Sequence, residues 1–288
     1  MKLRFFAAAA LAVALFSCKN DATTDSKKPA TEGAGVQSEM GEDAAEDIAP
    51  KEGEVLLRLN YPKGFKQQLN YIFESSGDAM NGAVAMVINY TVSDVSTGKT
   101  PVFDFTGEIT GMKAKYDVQG TKMDYDSALK LPAKASDSER EMDKKFRGIE
   151  GKPLSFSLDK KGKVVKDMQF TAAAAPEDLP FDIKSYQIEF PSKPVAVGST
   201  WTNKSIDKQQ NGIKTNTYTL TKITDATVVI DVKSVWPAPA MRGAKPTVFT
   251  GSYTVDRKTG MLLNASMSGG VETVGGTITM TFISKEVK

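Results

Sequence analysis

Histidine is absent from the 288 residues, and cysteine occurs once, at Cys18. No histidine means no Ser-His-Asp or Cys-His catalysis and no His-ligated zinc or haem. A single cysteine excludes an internal disulfide and any multi-cysteine metal site. Charge of one sign is missing too: 37 Lys and Arg face 35 Asp and Glu, a formal net charge of +2. That balance offers no basic stripe, so nucleic acid is not an expected partner. There is no P-loop and no dinucleotide fingerprint after a strand. What remains is ordinary globular material. The 40% hydrophobic content is enough for one large domain or two small ones.

The first residues carry an address. Lys2 and Arg4 form a positive start, and Phe5 to Phe16 is an apolar run of 12 residues. A membrane-spanning helix needs roughly 20 residues, so this run fits a cleaved export signal instead. It ends Leu15-Phe16-Ser17-Cys18, which resembles the lipobox of bacterial lipoproteins. Phe16 stands where that family usually has a small residue. The resemblance implies cleavage before Cys18, a diacylglyceryl group on its sulfur and an acylated amino group. Several acyl chains anchor stably where one does not. Residues 1–17 then form the signal peptide, and the lipid bilayer is the first expected partner.

From Cys18 to Gly53 there is little to build a core. The stretch is rich in Ala, Thr, Ser, Gly, Lys and Glu and has neither helical nor strand periodicity. Such a segment cannot bury enough surface to offset ordering. Residues 18–53 are therefore expected to be a disordered acidic tether, spanning roughly 30 Å as a flexible coil.

From Glu54 to Lys288 the dominant signal is alternation. Leu69, Tyr71 and Phe73 share one face, as do Val84, Met86, Ile88, Tyr90 and Val92. Phe103, Phe105 and Ile109 follow, then Leu154, Phe156 and Leu158, and Tyr186, Ile188 and Phe190. Val228, Ile230 and Val232, and finally Ile278, Met280 and Phe282, repeat the pattern. A period of two marks half-buried antiparallel strands. Turns fall at Ser96–Lys99, Asp159–Gly162 and Asp256–Gly260, each with a glycine. The last two look alike, a hint of two related halves. Ser136-Asp137-Ser138-Glu139 is a capping box, with Met142, Phe146 and Ile149 at helical spacing and Gly148 as the stop. Thr171 to Pro180 reads as a connection. The expected fold is mainly β: a curved antiparallel sheet or partial barrel with one packed helix.

Candidate chemistry is sparse. Ser96 and Lys99 have Ser-x-x-Lys spacing, but in a hairpin turn rather than at a helix start. Asp124 and Asp126 share a strand face without the acidic loop a calcium site wants. Met86, Met267 and Met280 lie on apolar faces, and Met adapts to irregular apolar ligands as readily as it fills a core. Trp201, after Gly198, either packs the start of a strand or meets a ligand.

Three stretches together resemble an uncharacterised family of Bacteroidota envelope lipoproteins. They are Phe190-Pro-Ser-Lys-Pro-Val-Ala-Val-Gly-Ser-Thr-Trp201, Phe156-Ser-Leu-Asp-Lys-Lys-Gly-Lys-Val164 and Gly251-Ser-Tyr-Thr-Val-Asp-Arg-Lys-Thr-Gly-Met-Leu262. Ser199 stands where that family has Asp. The resemblance implies an envelope location, on the outer membrane, and supplies no reaction. The expectation is a non-enzymatic module without cofactor or metal, binding an apolar or lipid-like ligand. Trp201, Met86, Met267 and Met280 are its candidate contacts. The alternative is a structural lipoprotein that docks an envelope protein.

Overall fold

The computed structural model describes residues 47–118, 120–170, 186–207, 212–238, 245–272 and 275–287. The expected signal segment, Cys18, the tether up to residue 46 and the 171–180 connection lie outside the described residues.

The first run of strands is β1 (Glu54–Val55), β2 (Lys66–Gly77), β3 (Asn81–Val95), β4 (Val102–Val118) and β5 (Thr121–Asp126). Helix α1 (Asp137–Ile149) precedes β6 (Leu154–Asp159) and β7 (Val164–Phe170). The second run is β8 (Val195–Ala196), β9 (Thr200–Asp207), β10 (Gly212–Ile223), β11 (Thr227–Trp236), β12 (Thr247–Asp256), β13 (Leu262–Val271) and β14 (Gly276–Glu286). Twelve strands form one sheet, ordered β7-β6-β4-β3-β2-β14-β13-β12-β11-β10-β9, with β5 paired to the far end of β4. Every strand pairing in it is antiparallel. Among the described residues β7 and β9 do not meet, so the sheet is not closed into a barrel. β1 and β8 pair separately.

Alternation explains the burial. Leu69, Tyr71, Phe73, Val84, Met86, Ile88, Tyr90 and Val92 are buried, and the residues between them are less so. All the inward faces join one apolar core. A flat sheet could not do this. The β6–β7 and β12–β13 turns are five strand steps apart, about 24 Å if flat. Yet neighbouring backbone amides bridge them: Leu59 donates to the Lys160 carbonyl at 2.8 Å and Asn60 to the Thr259 carbonyl at 2.9 Å. The sheet must therefore curl steeply around its apolar face.

The helix begins as expected. Ser136 Oγ accepts from the Glu139 amide at 3.2 Å, and Glu139 Oε2 accepts from the Ser136 amide at 2.7 Å. Its end differs. Gly148 lies inside the helix, which runs to Ile149, and the left-handed residue is Gly151, with φ of 64°. Burial of Phe146 and Ile149 holds the last turn against the β5 side of the sheet, where Tyr125 and Phe146 meet edge-on. Tyr186, Ile188 and Phe190 are buried in alternation but are not a strand of the sheet. They form an extended strap across it, because their backbone finds partners in a turn and in side chains rather than in a neighbouring strand.

Candidate ligand-binding site on the inner face

Two straps lie on the apolar face of the sheet. Strap one runs through Leu57, Leu59 and Tyr61, strap two through Tyr186, Ile188 and Phe190, and all six side chains are buried. The period of two puts these apolar residues inward, and Pro62 and Pro191 end each run. Tyr61 meets Phe103 and Phe105 edge-on at 5.8 Å between ring centroids. Tyr186 stacks on Phe282 at 4.8 Å, and Phe282 stacks on Tyr71 at 5.0 Å. Such ring pairs add to plain burial.

Arg58 ties the straps together. Its Nη1 donates to the Leu57 and Pro191 carbonyls, and its Nη2 to the Ser192 carbonyl, all at 2.7 Å. Its Nε donates to Asp47 Oδ1 and Lys160 Nζ to Asp47 Oδ2, both at 2.9 Å. Burial raises the Asp47 pKa, but the Lys160 and Arg58 hydrogen bonds outweigh it and hold the carboxyl below its ordinary range. Asp47 is thus held by two cations, one on each side of its carboxylate.

Between the straps and the sheet lies a cavity of about 30 Å³. Tyr61, Tyr90, Phe105, Phe156, Tyr186 and Phe190 are among its walls. It has room for a water molecule and not for an acyl chain. Burial pushes the phenols of Tyr61 and Tyr90 well above the ordinary tyrosine value. The interior in this state is therefore filled by the protein's own straps.

The four candidate contact residues sit around this core. Met86, Met267 and Met280 are buried, and Met267 pairs directly with Met280 across β13 and β14. Tyr253 Oη donates to Met267 Sδ at 3.3 Å. Trp201 packs partly buried, stacked on Tyr218 at 5.4 Å, and its Nε1 donates to the Glu189 carbonyl of strap two at 3.0 Å. All three methionines are buried within the core and none reaches the surface. Trp201 is the one of the four that touches a strap through a hydrogen bond.

The other candidate groups lie elsewhere. Ser96 Oγ accepts from the Val102 amide at 2.9 Å within the β3–β4 turn. Asp126 is neutralised by Lys113 at 2.9 Å and Asp124 by Lys115 at 3.4 Å, across β4 and β5. Among the described residues no three or more acidic, His or Cys side chains are placed to hold a metal ion. No described helix is long and apolar enough to cross a membrane. Sequence reasoning missed the Asp47–Arg58–Lys160 cluster and the first strap. The signal was there for the strap: Leu57-x-Leu59-x-Tyr61-Pro62 has the same pattern as Tyr186-x-Ile188-x-Phe190-Pro191.

Residues 181–262 match the model of a family of unknown function, DUF6263. The match runs from before strap two to the start of β13. No curated protein matches the chain. Among solved structures, the chain is similar to one described as "lipid-protein interactions in lipovitellin", at 10% identity and a TM-score of 0.46. The likeness covers 80% of this chain and 26% of that one, so this chain spans about a quarter of its length.

Proposed function

We propose that this protein is a lipid-anchored lipoprotein of the bacterial cell envelope, carried on the outer membrane by acyl chains on Cys18. Its β domain is a non-enzymatic binding module for an apolar or lipid-like ligand. The carrying observation is how the inner face is covered. Among the described residues the only second sheet is the two-stranded β1–β8 pair, and helix α1 adds Phe146 and Ile149 to the core; the rest of the cover is two extended straps lying over aromatic walls. An apolar chain of similar width exchanges with a strap at little cost in buried apolar area, because one apolar surface replaces another. The apolar lining of the inner face supports binding of an apolar ligand.

The test uses the full chain with Cys18→Ala, which removes the protein's own acyl groups. Native mass spectrometry of that protein after incubation with palmitate should give a one-to-one adduct, with a shift in Trp201 emission as strap two moves. No adduct and no uptake from envelope extracts would overturn the reading.

A second reading rests on a separate observation. Ile206 and Ile213 are 75% and 61% exposed and are directly opposed across β9 and β10, on the outer face. That exposed pair favours docking of an envelope protein beside the β9 edge. Crosslinking in intact cells should then give one dominant adduct that Ile206→Lys abolishes; a smear of neighbours argues against it.

A further inference from the structure

The strand pairings repeat. On the β3–β4 ladder Val92 pairs with Phe105, and a bulge follows before Asp94. On the β10–β11 ladder Leu220 pairs with Ile230, and a bulge follows before Lys222. One pairing step further along the sheet, Val102 faces Asp159 and Thr227 faces Asp256. Next, Leu158 faces Val164 and Val255 faces Leu262, both directly after a bulge.

The entries and turns repeat as well. Gly64 donates to the Val92 carbonyl and Val92 to the Phe65 carbonyl; Gly198 donates to Leu220 and Leu220 to Ser199. Both glycines are left-handed, at φ of 84° and 90°. Ser96 and Thr224 each use a side-chain oxygen to accept from the first amide of the next strand, both at 2.9 Å. Tyr90 meets Phe156 as Tyr218 meets Tyr253. Asp159 Oδ1 and Asp256 Oδ1 each accept turn amides ahead of left-handed Gly162 and Gly260.

We infer that the domain is two copies of one unit, each a strap followed by a five-strand meander, and that each strap seats on the other unit's glycine turn. β2-β3-β4-β6-β7 is one meander and β9-β10-β11-β12-β13 the other. β5 and α1 are an insertion in the first, and β14 joins the two by pairing with both β13 and β2. The straps cross over. Phe190 of the second unit donates to the Lys161 carbonyl of the first, and Asn60 of the first donates to the Thr259 carbonyl of the second; Leu59 additionally bonds its own unit's turn through the Lys160 carbonyl. A methyl at Gly162 would lie 2.3 Å from the Ile188 carbonyl oxygen, and one at Gly260 would lie 2.3 Å from that of Arg58.

Each unit therefore carries a peptide-accepting groove of defined chemistry. Turn carbonyls take the main-chain amide of an extended segment, and a bare glycine admits its backbone. The apolar face takes an aliphatic and then an aromatic side chain two residues apart, and a proline closes the run. The match to residues 181–262 corresponds to one such unit short of its last strand.

Hydrogen exchange on the full chain tests the crossing. Gly162→Ala, in the first unit, should speed exchange of the Phe190 amide by tenfold or more and leave the Asn60 amide, held by the Thr259 carbonyl, near wild type. Gly260→Ala should do the reverse. Exchange raised at Asn60 by Gly162→Ala, or equally at both amides by either substitution, overturns the inference. Should either substitution unfold the whole chain, a turn graft decides. Replacing Ser96–Pro101 with Thr-Asp-Ala, the corresponding turn of the second unit, should keep the chain folded, with its thermal midpoint lowered by less than about 5 °C. A graft that unfolds the chain overturns the equivalence.

Discussion

Arg58 Nε lies 2.9 Å from Asp47 Oδ1, so the first described residue of the chain closes a charged contact on a strap rather than on a surface loop. Arg58 and Lys160 have side chains only 11% and 16% exposed. Asp47→Asn leaves both cations facing an uncharged group. The expected loss of stability is about 1 kcal/mol, limited by solvent screening at Asp47. The Asp47 carboxyl has a lowered pKa in the folded chain. Its contribution is whole above the ordinary value of 3.8 and fades as pH falls through the lower folded value. Urea midpoints should separate wild type from Asp47→Asn at neutral pH and coincide in strong acid.

Alkali should act on the opposite set of groups. Burial raises the phenol pKa of Tyr61, Tyr71, Tyr90, Tyr218 and Tyr253. Unfolded, these phenols ionise near 10.0; folded, they keep their protons beyond it. The folded chain then holds more protons than the unfolded one, and stability falls as pH rises past 10. Phenolate absorbance should show few early tyrosines and then a steep rise coincident with loss of the far-ultraviolet β signal. A smooth titration of all eight tyrosines with the fold intact would contradict the burial.

Much of this architecture is legible in the residues. Leu69, Tyr71 and Phe73 alternate because one sheet face is buried, and that periodicity survives folding unchanged. Ser136 and Glu139 specify their helix start locally. Tyr186, Ile188 and Phe190 show where local pattern stops. The same period of two describes a paired strand and a strap, and only tertiary pairing tells them apart. The cluster at Asp47 was hidden for a related reason. Its partners Arg58 and Lys160 lie 11 and 113 residues away, and acidic composition around it gives no sign of them. The candidate site was half visible: the methionines and Trp201 read as core or contact, and the straps did not stand out, though Trp201 bonds the second of them.

The helix cap offers a local comparison. Ser136→Ala removes the acceptor of the Glu139 amide and the Ser136 Oγ contact to Glu139 Oε2. The expected cost is about 1 kcal/mol. Because α1 packs on β5 through Phe146 rather than on a strap, exchange should quicken over residues 137–149 and stay unchanged at 186–190. Equal effects in both places would mean that the helix and the straps unfold as one unit.

The anchor is the prediction on which the cellular role depends. Cys18 is the chain's only sulfhydryl, directly after an apolar run of 12 residues and a serine. Each buried CH₂ of an attached acyl chain contributes about 0.8 kcal/mol to membrane affinity, and stable anchoring takes more than one chain. On the proposed reading Cys18→Ala removes the acceptor sulfur, and without lipoprotein cleavage the apolar run Phe5–Phe16 stays attached. The variant should incorporate no labelled palmitate and keep the thermal midpoint of its β domain, whichever fraction it sediments in. Wild type should sediment with membranes in high salt, since the attachment is apolar and salt does not screen it. A Cys18→Ala chain that still takes up palmitate would place the lipid elsewhere and remove the anchor from the proposed function.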